Sequence, residues 1–467
     1  MVTVAGLAHL EAQSKTRKNS LSLDGFISQV AEKNPALRAA EASTEGAGLR
    51  SNEGELLTSP TLKLSAQAIN DQKQSATPGF TGTKSLYEVY SASIEQQTSF
   101  GLSGKIKYDF NFKGTEGSSP TVNPVPTYFT GSPGIELTQS FWRNGFGKEI
   151  RSNRDALNNA ARAIQYGKRF EKANLLLEAE VTYWRLHYAR KTIEALRESI
   201  VLAERFRDWA SRRASLQLGD QSDFLQAKAA LETRQLELLK SLEEEKAAAR
   251  AFNSLRGIEG VQVDEGTVEP AGLAQVNPSL APNLRRDDLR ASEAQARATE
   301  ASALASREKY KPSLDLVGTY AFNALNTDGQ KAREESFKSD YPTYSVGLRF
   351  STPLDLGNAS DTREGYAREA EASQLVFQRK LQEHQRDLED LRSQIRNASE
   401  RLVLAQTVEK SQKDKLAAER NRLNRGRTTT AQVILFEQDY ILAQITRIRT
   451  ESELLGYLAK AKLFREE

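Results

Sequence analysis

The chain has no cysteine, one methionine, only three histidines and no long apolar run. The missing thiols exclude disulfides, thiolate metal sites, cysteine nucleophiles and a lipid-modified N-terminal cysteine. No segment approaches the roughly 18 consecutive apolar residues of a transmembrane helix, so a helical membrane protein is excluded. These absences leave a transmembrane barrel open, because its strands are short and only half apolar.

Residues that carry out chemistry are also sparse. His9 lies in an N-terminal arm, and His187 and His384 lie on separate predicted helices with no carboxylate at ligand spacing. A metal or catalytic site needs convergent ligands, and the chain has no phosphate-binding loop and no nucleophile constellation. The net charge of +3 is too balanced to indicate nucleic-acid binding. We therefore predict no enzyme activity, no cofactor, no metal and no nucleic-acid partner.

The composition itself is polar, with 38% hydrophobic and 27% charged residues in a chain of 467. It predicts much surface and little thick core. Residues 1–19 lack a pattern and are predicted to be a loose arm. Because Met1–Leu10 lacks the basic leader and apolar core of a signal peptide, we expect a mature chain whose leader was replaced by a start residue.

The clearest pattern in the chain is the alternation from Phe100 to Lys113, with apolar and aromatic residues at even positions and polar residues at odd ones. Successive side chains of a strand point to opposite faces, so this segment predicts a strand with one apolar and one wet face. Such a strand suits either a soluble sheet or a membrane barrel. Alternation predicts further strands at 62–68, 86–97, 135–141, 314–322 and 344–350.

Apolar residues spaced by three and four predict long helices that pair as coiled-coil hairpins. The predicted helices are 21–57, 148–218, 222–255, 360–424 and 430–464. Ser22 is the predicted N-cap of the first helix, which Pro35 interrupts or restarts. Gly219 and Gly426 suit the left-handed positions that end helices at the two hairpin turns.

The sequence is internally duplicated. Leu289–Glu293 matches Leu37–Glu41, and Pro312 opens the same Pro-x-Leu-x-Leu pattern as Pro60, both at an offset of 252. The offset falls to 211 by the last strand of each half, so the first half contains about 41 extra residues, the size of one β-hairpin. Since unpaired strand edges are not tolerated in lipid, membrane strands of this number require closure by oligomerisation. The predicted fold class is membrane α+β.

The chain resembles the TolC family of outer-membrane efflux channels over about residues 20–465. No single motif is specific to this family. The resemblance lies in the duplicated order of helices and strands. The supporting segments are Asn34–Ala40, the openings at Pro60 and Pro312, Leu137–Trp142 before Gly145–Gly147, the turns at Gly219 and Gly426, and Asp223–Ala227.

The resemblance implies a homotrimer in the outer membrane of a Gram-negative bacterium, with a large periplasmic portion. It implies a transmembrane β-barrel closed by trimerisation and a long periplasmic α-helical coiled-coil barrel. The implied partners are outer-membrane lipid, a periplasmic adaptor and an inner-membrane pump, and the implied function is an export duct for small molecules. The alternatives are a channel for type I protein secretion and a periplasmic adaptor or scaffold without channel activity.

Two sets of candidate site residues follow from this comparison. The periplasmic tip or aperture is expected at Gly219, Asp220, Asp223, Gly426, Arg427, Gln432 and Leu435. Family members often carry aspartates where this chain has Gln432 and Leu435, so Asp220 and Asp223 are the candidates to supply acid instead. The arginines before both turns are interpreted either as solvated helix ends or as gating residues.

The second set comprises aromatic and aliphatic strand residues, which pack in the core of a soluble sheet or face lipid in a barrel. The internal duplication favours side chains that face lipid over side chains in a soluble core. The expected lipid-facing residues are Leu102, Ile106, Tyr108, Phe110, Phe112, Tyr320, Phe322, Tyr344 and Phe350. The extra hairpin contains the 100–113 strand and widens the barrel from twelve strands per trimer towards eighteen. The alternative is that segment 86–97 stays outside the barrel.

These expectations divide the chain into eight segments. They are the arm 1–19, the first helix 20–59, the strands with the extra hairpin 60–147, the first helical hairpin 148–257, a linker 258–284, a helix 285–311, the second set of strands 312–357 and the second helical hairpin 358–467.

Overall fold

The structure is a computed structural model that describes residues 20–217, 220–270 and 285–464. The predicted arm, the turn residue Gly219 and part of the predicted linker lie outside these residues. The chain divides into two compact units. The helical unit comprises residues 1–45, 166–290 and 380–467, and the sheet unit comprises residues 46–165 and 291–379.

Nine α-helices are found in the described part of the chain. They are α1 Leu23–Lys33, α2 Pro35–Leu49, α3 Pro78–Thr81, α4 Lys148–Ser215, α5 Gln221–Leu255, α6 Asp287–Lys309, α7 Gly329–Glu335, α8 Leu356–Asn424 and α9 Thr430–Ala461. The predicted coiled-coil helices are confirmed within a few residues. The 68 residues of α4 extend about 100 Å at 1.5 Å per residue. None of the described helices combines the length and the apolar character that a membrane-spanning helix needs.

The strands are β1 Ser20–Leu21, β2 Thr61–Asp71, β3 Lys84–Gln97, β4 Leu102–Glu116, β5 Thr127–Ser140, β6 Gly266–Thr267, β7 Ser313–Phe322, β8 Ala324–Asn326 and β9 Pro342–Ser351. Six of them form an antiparallel path in the order β2-β3-β4-β5-β7-β9, and the short β8 pairs with β5. In the helical unit, β1 pairs with β6 in parallel.

The extra hairpin predicted from the offsets is confirmed as β3 and β4. The first half supplies four strands to the path and the second half supplies two long ones. Segment 86–97, which the alternative kept outside the barrel, is a central strand of the sheet, because β3 pairs with β2 from Asp71 to Thr61 and with β4 along its whole length. Central pairing on both sides compensates for its weak alternation, because it satisfies the backbone groups of the strand.

The interruption expected at Pro35 is confirmed, because the helix predicted over 21–57 breaks at Asn34. Ser22 does cap α1, since its hydroxyl accepts from the Gly25 N–H at 3.1 Å. Asn34 is extended, as expected for the residue before a proline, and α2 restarts at Pro35. A 3₁₀ segment, Arg50–Thr58, follows α2.

Asn34 also ties two helices together. Its side-chain oxygen caps α2 by accepting from Ala36 N at 2.9 Å, and its amide donates to Leu255 O at the end of α5, also at 2.9 Å. Asn34→Asp keeps the cap but places a carboxylate against a carbonyl oxygen. We expect it to reduce the free energy of unfolding by about 1–3 kcal/mol.

Denaturant unfolding of the purified protein measures this effect. Asn34→Ser removes the same donor but keeps an uncharged capping oxygen, so the difference between the two variants measures the repulsion between the carboxylate and Leu255 O. Equal stability of the aspartate variant and the wild type would contradict the role of the Leu255 contact.

Aromatic side chains form the centre of the helical unit. Phe26 on α1 stacks on Phe252 of α5 with ring centroids 4.0 Å apart, and Tyr183 on α4 packs against both rings. The Tyr183 hydroxyl donates to Leu21 O at 2.8 Å and accepts from Val268 N at 2.9 Å. This core holds α1, α4 and α5 to the short β1–β6 pair.

Candidate functional site

The apolar face of the sheet is exposed along a continuous row. One residue from each strand of the path contributes to this apolar row, and neighbours in it are directly opposite across the strands. The row consists of Leu62, Ile94, Ile106, Ile135, Tyr320 and Tyr344, with exposed fractions from 44% to 76%. Exposed apolar surface on this scale marks contact with a membrane or another protein.

The nine expected lipid-facing residues all lie on this same face, by the register of the strands. Ile106, Tyr320, Tyr344 and Phe350 are exposed. Six have aromatic neighbours within the chain. Phe110 and Phe112 pack against Phe129, and Tyr108 stacks on Phe337. Tyr320 and Phe322 pack against each other, and Phe350 packs against Trp142. Contact of the face with lipid remains a prediction.

The opposite face carries paired charges. Lys105 lies 3.0 Å from Glu95, which also pairs with Lys63. Four residues beyond Lys105 on β4, the Asp109 carboxylate accepts from the Ser91 hydroxyl at 2.6 Å and from the Lys107 ammonium at 2.9 Å. A face with this density of charged groups is suited to contact with water, because water solvates charges that would be costly to bury.

The path has two unpaired edges in the described residues, because β2 and β9 each have one neighbouring strand. Leu62 and Leu64 on β2 are 63% and 72% exposed, and Val346 and Leu348 on β9 are 77% and 72% exposed. Long exposed edges of this kind are templates for strand pairing with another chain.

The expected tip residues lie around the turns between hairpin helices. Asp220 is the N-cap residue of α5, and Asp223 lies in its first turn. Gly426 follows α8 with φ of +67°, in the left-handed region that favours glycine. Leu435 is 49% exposed on α9. These positions agree with the predicted turns, and their role at an aperture remains a prediction.

The ends of the two hairpins pack together in the helical unit. Ala210 of α4, Ala227 of α5 and Ile434 of α9 form a small buried cluster. Partly buried neighbours complete it: Trp209, Phe224 and Ala230. The structure therefore places the residue next to Leu435 in contact with the hairpin that carries Asp223.

The turn between α8 and α9 is held by Glu419, which is 6% exposed. It accepts from Arg422 at 3.2 Å and from the Thr428 hydroxyl. The Arg427 N–H donates to Arg422 O at 2.9 Å, and the Gln432 N–H donates to the Thr429 hydroxyl at 3.4 Å. The predicted tip residues Arg427 and Gln432 thus have fixed backbones.

A buried polar cluster beside this turn was not predicted from the sequence. Glu437 of α9 is 5% exposed, and its Oε1 has no hydrogen-bond partner in the part of the chain that the structure describes. Burial raises the pKa of its carboxyl to about 7, against the opposing charges of Arg420 and Arg234. Its members come from three helices, so no spacing within one segment could have indicated it.

The two histidines in the described residues, His187 and His384, lie on separate helices and do not converge. His187 is 3% exposed and its Nδ1 lies 2.8 Å from the Thr267 hydroxyl, while the His384 ring packs on Phe464. Burial lowers the pKa of His187. Within residues 20–217, 220–270 and 285–464, no cluster of three or more histidine or carboxylate side chains is arranged to hold a metal.

Part of the chain is similar in sequence to a known family, and its fold is similar to solved structures. Residues 283–454 match the family model for the outer membrane efflux protein. A search of curated protein sequences finds no match.

Solved outer-membrane channels superimpose on nearly the whole chain. CmeC of Campylobacter jejuni is 15% identical, covers 95% of this chain and 85% of its own, and has a TM-score of 0.63. VceC of Vibrio cholerae is 15% identical, covers 94% of each chain and has a TM-score of 0.63. The open state of MtrE of Neisseria gonorrhoeae is 16% identical, covers 94% of this chain and 88% of its own, and has a TM-score of 0.59.

Both comparisons agree with the α+β architecture of helical hairpins and an antiparallel sheet described above. Residues 283–454 are therefore similar to the outer membrane efflux protein family, and the described chain has the fold of outer-membrane channels.

Proposed function

We propose that this protein is a passive channel of the outer membrane, formed by three copies of the chain. The observation that carries the proposal is the two-faced sheet, with an exposed apolar row on one side and paired charges on the other. The apolar row would face lipid, and the face with paired charges would line a water-filled lumen. The match of residues 283–454 to the outer membrane efflux protein family supports a channel rather than an enzyme.

Three copies would close the barrel through the edges of the sheet. The exposed β2 of one copy pairs with the exposed β9 of the next, which removes every edge. Each chain contributes the six strands of the path, so three copies supply eighteen. This number follows from the β3–β4 hairpin, which adds two strands to each chain.

The duct itself performs no chemistry. It receives small molecules from an inner-membrane pump through a periplasmic adaptor, and the helical unit lies in the periplasm. The long coiled-coil hairpins favour this arrangement over an adaptor, because an adaptor normally has one hairpin and this chain has two. Protein export by a type I secretion system is the second candidate, supported by the same duct architecture.

Mass measurement and planar bilayer recordings test the proposal together. We expect a trimer that requires detergent for solubility and that conducts ions after reconstitution. A monomer soluble in water would contradict the channel, and so would a purified trimer without conductance. A periplasmic scaffold would give no conductance and no detergent requirement.

The tip residues give a sharper prediction. Leu435→Ala and Arg427→Ala are expected to raise single-channel conductance if these side chains narrow the aperture. Leu442→Ala is the matched control, because Leu442 is 53% exposed on the same helix two turns further from the α8–α9 turn. Equal conductance of wild type and both tip variants would show that Leu435 and Arg427 are solvated side chains.

A further inference from the structure

A short segment of the chain lies on the apolar face of its own sheet. The ring of Phe337 stacks on Tyr108 with centroids 5.6 Å apart, and the Tyr108 and Ser336 hydroxyls are 3.3 Å apart. Ala332 and Ser336 are fully buried. Helix α7 and Phe337 are therefore anchored on β4 and β5.

Gly131 of β5 makes this close packing possible. A Cβ at Gly131 would lie 2.8 Å from the Ser336 Cβ and 3.1 Å from Ala332 O, so any larger residue would push α7 away. The Asp328 carboxylate caps α7 by accepting from Gln330 N and Lys331 N. The segment is held at its start and along its buried side.

A cleft of about 700 Å³ lies beside α7, on the same face of the sheet. Its size is within the range of small-molecule sites in proteins. The lining is mainly apolar and aromatic, with two serines, Ser65 and Ser91, and one cationic side chain, Arg333. Its apolar and aromatic residues include Leu64, Ala66, Tyr90, Tyr108 and Phe110.

The charge in this cleft comes from Arg333, which is exposed on α7. The acidic side chains of α7 are engaged by the segment itself: Gln330 donates to Glu334 and Asn326 donates to Glu335, both at 3.1 Å. An apolar trough with a cation beside it is complementary to a molecule that carries a long hydrocarbon chain and an anionic group.

The position of the cleft in the sheet indicates which kind of molecule binds there. Leu64 and Tyr108 lie two residues along their strands from Leu62 and Ile106 of the apolar row. The cleft thus continues the surface assigned to lipid under the proposed function. An acyl chain that follows this surface enters the cleft without crossing water.

We infer that the cleft binds an anionic membrane lipid, with an acyl chain along Leu64, Ala66 and Phe110 and its phosphate at the Arg333 guanidinium. This inference rests on the proposed function, because it requires the apolar face to lie in a membrane. The guanidinium donates paired hydrogen bonds to phosphate oxygens.

Lipid titration of the purified full-length protein in detergent, followed by native mass spectrometry, tests the inference. The probes are phosphatidylglycerol and phosphatidylcholine with identical acyl chains. We expect the wild type to bind phosphatidylglycerol about tenfold more tightly, as one charge-assisted contact predicts. Arg333→Gln should lose this preference, while Lys338→Gln, which removes an exposed cation of the same loop outside the cleft lining, should keep it.

The apolar part of the cleft is tested by filling it. Ala66→Trp places a ring in the cleft from an exposed strand position, and Ala68→Trp places the same ring on the same face of β2 outside the cleft lining. Ala66→Trp should weaken binding of both lipids, and Ala68→Trp should leave it unchanged. Equal binding of the two lipids by wild type, or an unchanged preference in Arg333→Gln, would overturn the inference.

Conductance separates failure of this site from failure of the channel. Wild type, Arg333→Gln and Ala66→Trp are recorded in the same bilayers, and all three are expected to conduct. Conductance without lipid preference overturns the lipid site alone. If a second copy of the chain fills the cleft instead, Ala66→Trp dissociates the trimer and neither lipid binds, which also overturns it.

Discussion

Replacing Val346 with arginine is expected to prevent stable assembly of the protein in membranes. Val346 is 77% exposed on β9 and lies opposite Gly318, on the face that carries the apolar row. An arginine on the lipid side of a barrel strand costs about 2–4 kcal/mol near the middle of the bilayer. Each copy of a trimer would bear this cost, so the total is about 6–12 kcal/mol, comparable to the stability of a whole domain.

Ser345→Arg is the matched control for this variant. Ser345 is the preceding residue of β9, and its hydroxyl lies 2.6 Å from that of Thr319 on the charged face. An arginine there meets water and costs only the lost hydrogen bond, about 1 kcal/mol. Trimer recovered from the membrane fraction after expression measures both variants. Equal recovery of the two would mean that the apolar face does not contact lipid.

Glu437→Gln is expected to stabilise the helical unit above pH 7 and to change little near pH 4.5. Burial raises the pKa of Glu437 from 4.5 to about 7, so the folded protein binds more protons than the unfolded chain between these values. Stability therefore falls as the pH rises through this window. The loss is on the order of 3 kcal/mol per copy, and glutamine avoids it because it stays neutral.

Thermal unfolding followed by far-ultraviolet circular dichroism measures this difference in the two pH regimes. Glu400→Gln removes an exposed carboxylate from α8 and is expected to change stability by no more than about 0.5 kcal/mol. If attraction to Arg420 and Arg234 exceeds the cost of burial, wild type instead becomes more stable as the pH rises. That opposite sign would contradict the prediction.

The sequence was sufficient wherever a feature depends on the order of residues along one segment. Alternation in 100–113 identified a two-faced strand, and spacing by three and four identified the coiled-coil helices. The offset between the two halves located the β3–β4 hairpin, because an insertion changes the distance between matching residues whatever the fold. Such patterns can be recognised in a sequence because the side chains of helices and strands repeat at fixed periods.

The sequence left two details of the fold open. The break at Asn34 follows from the residue after it, since proline disfavours a helical conformation in its predecessor. The weak alternation of 86–97 suggested a strand outside the sheet as one alternative, but its pairing with both β2 and β4 places it inside. Pairing depends on neighbours far away in the chain, and the pattern within a strand reports only its own faces.

The repeated helical hairpins, the two-faced strands and the extra hairpin could all be read from residue patterns. The proximity of Glu437 to Arg420 and Arg234, and the packing of α7 on the apolar face beside Tyr108, emerged only from the three-dimensional arrangement. Periodicity fixes which face of an element a side chain occupies. Which distant element then covers that face is set by packing among segments that carry no common pattern.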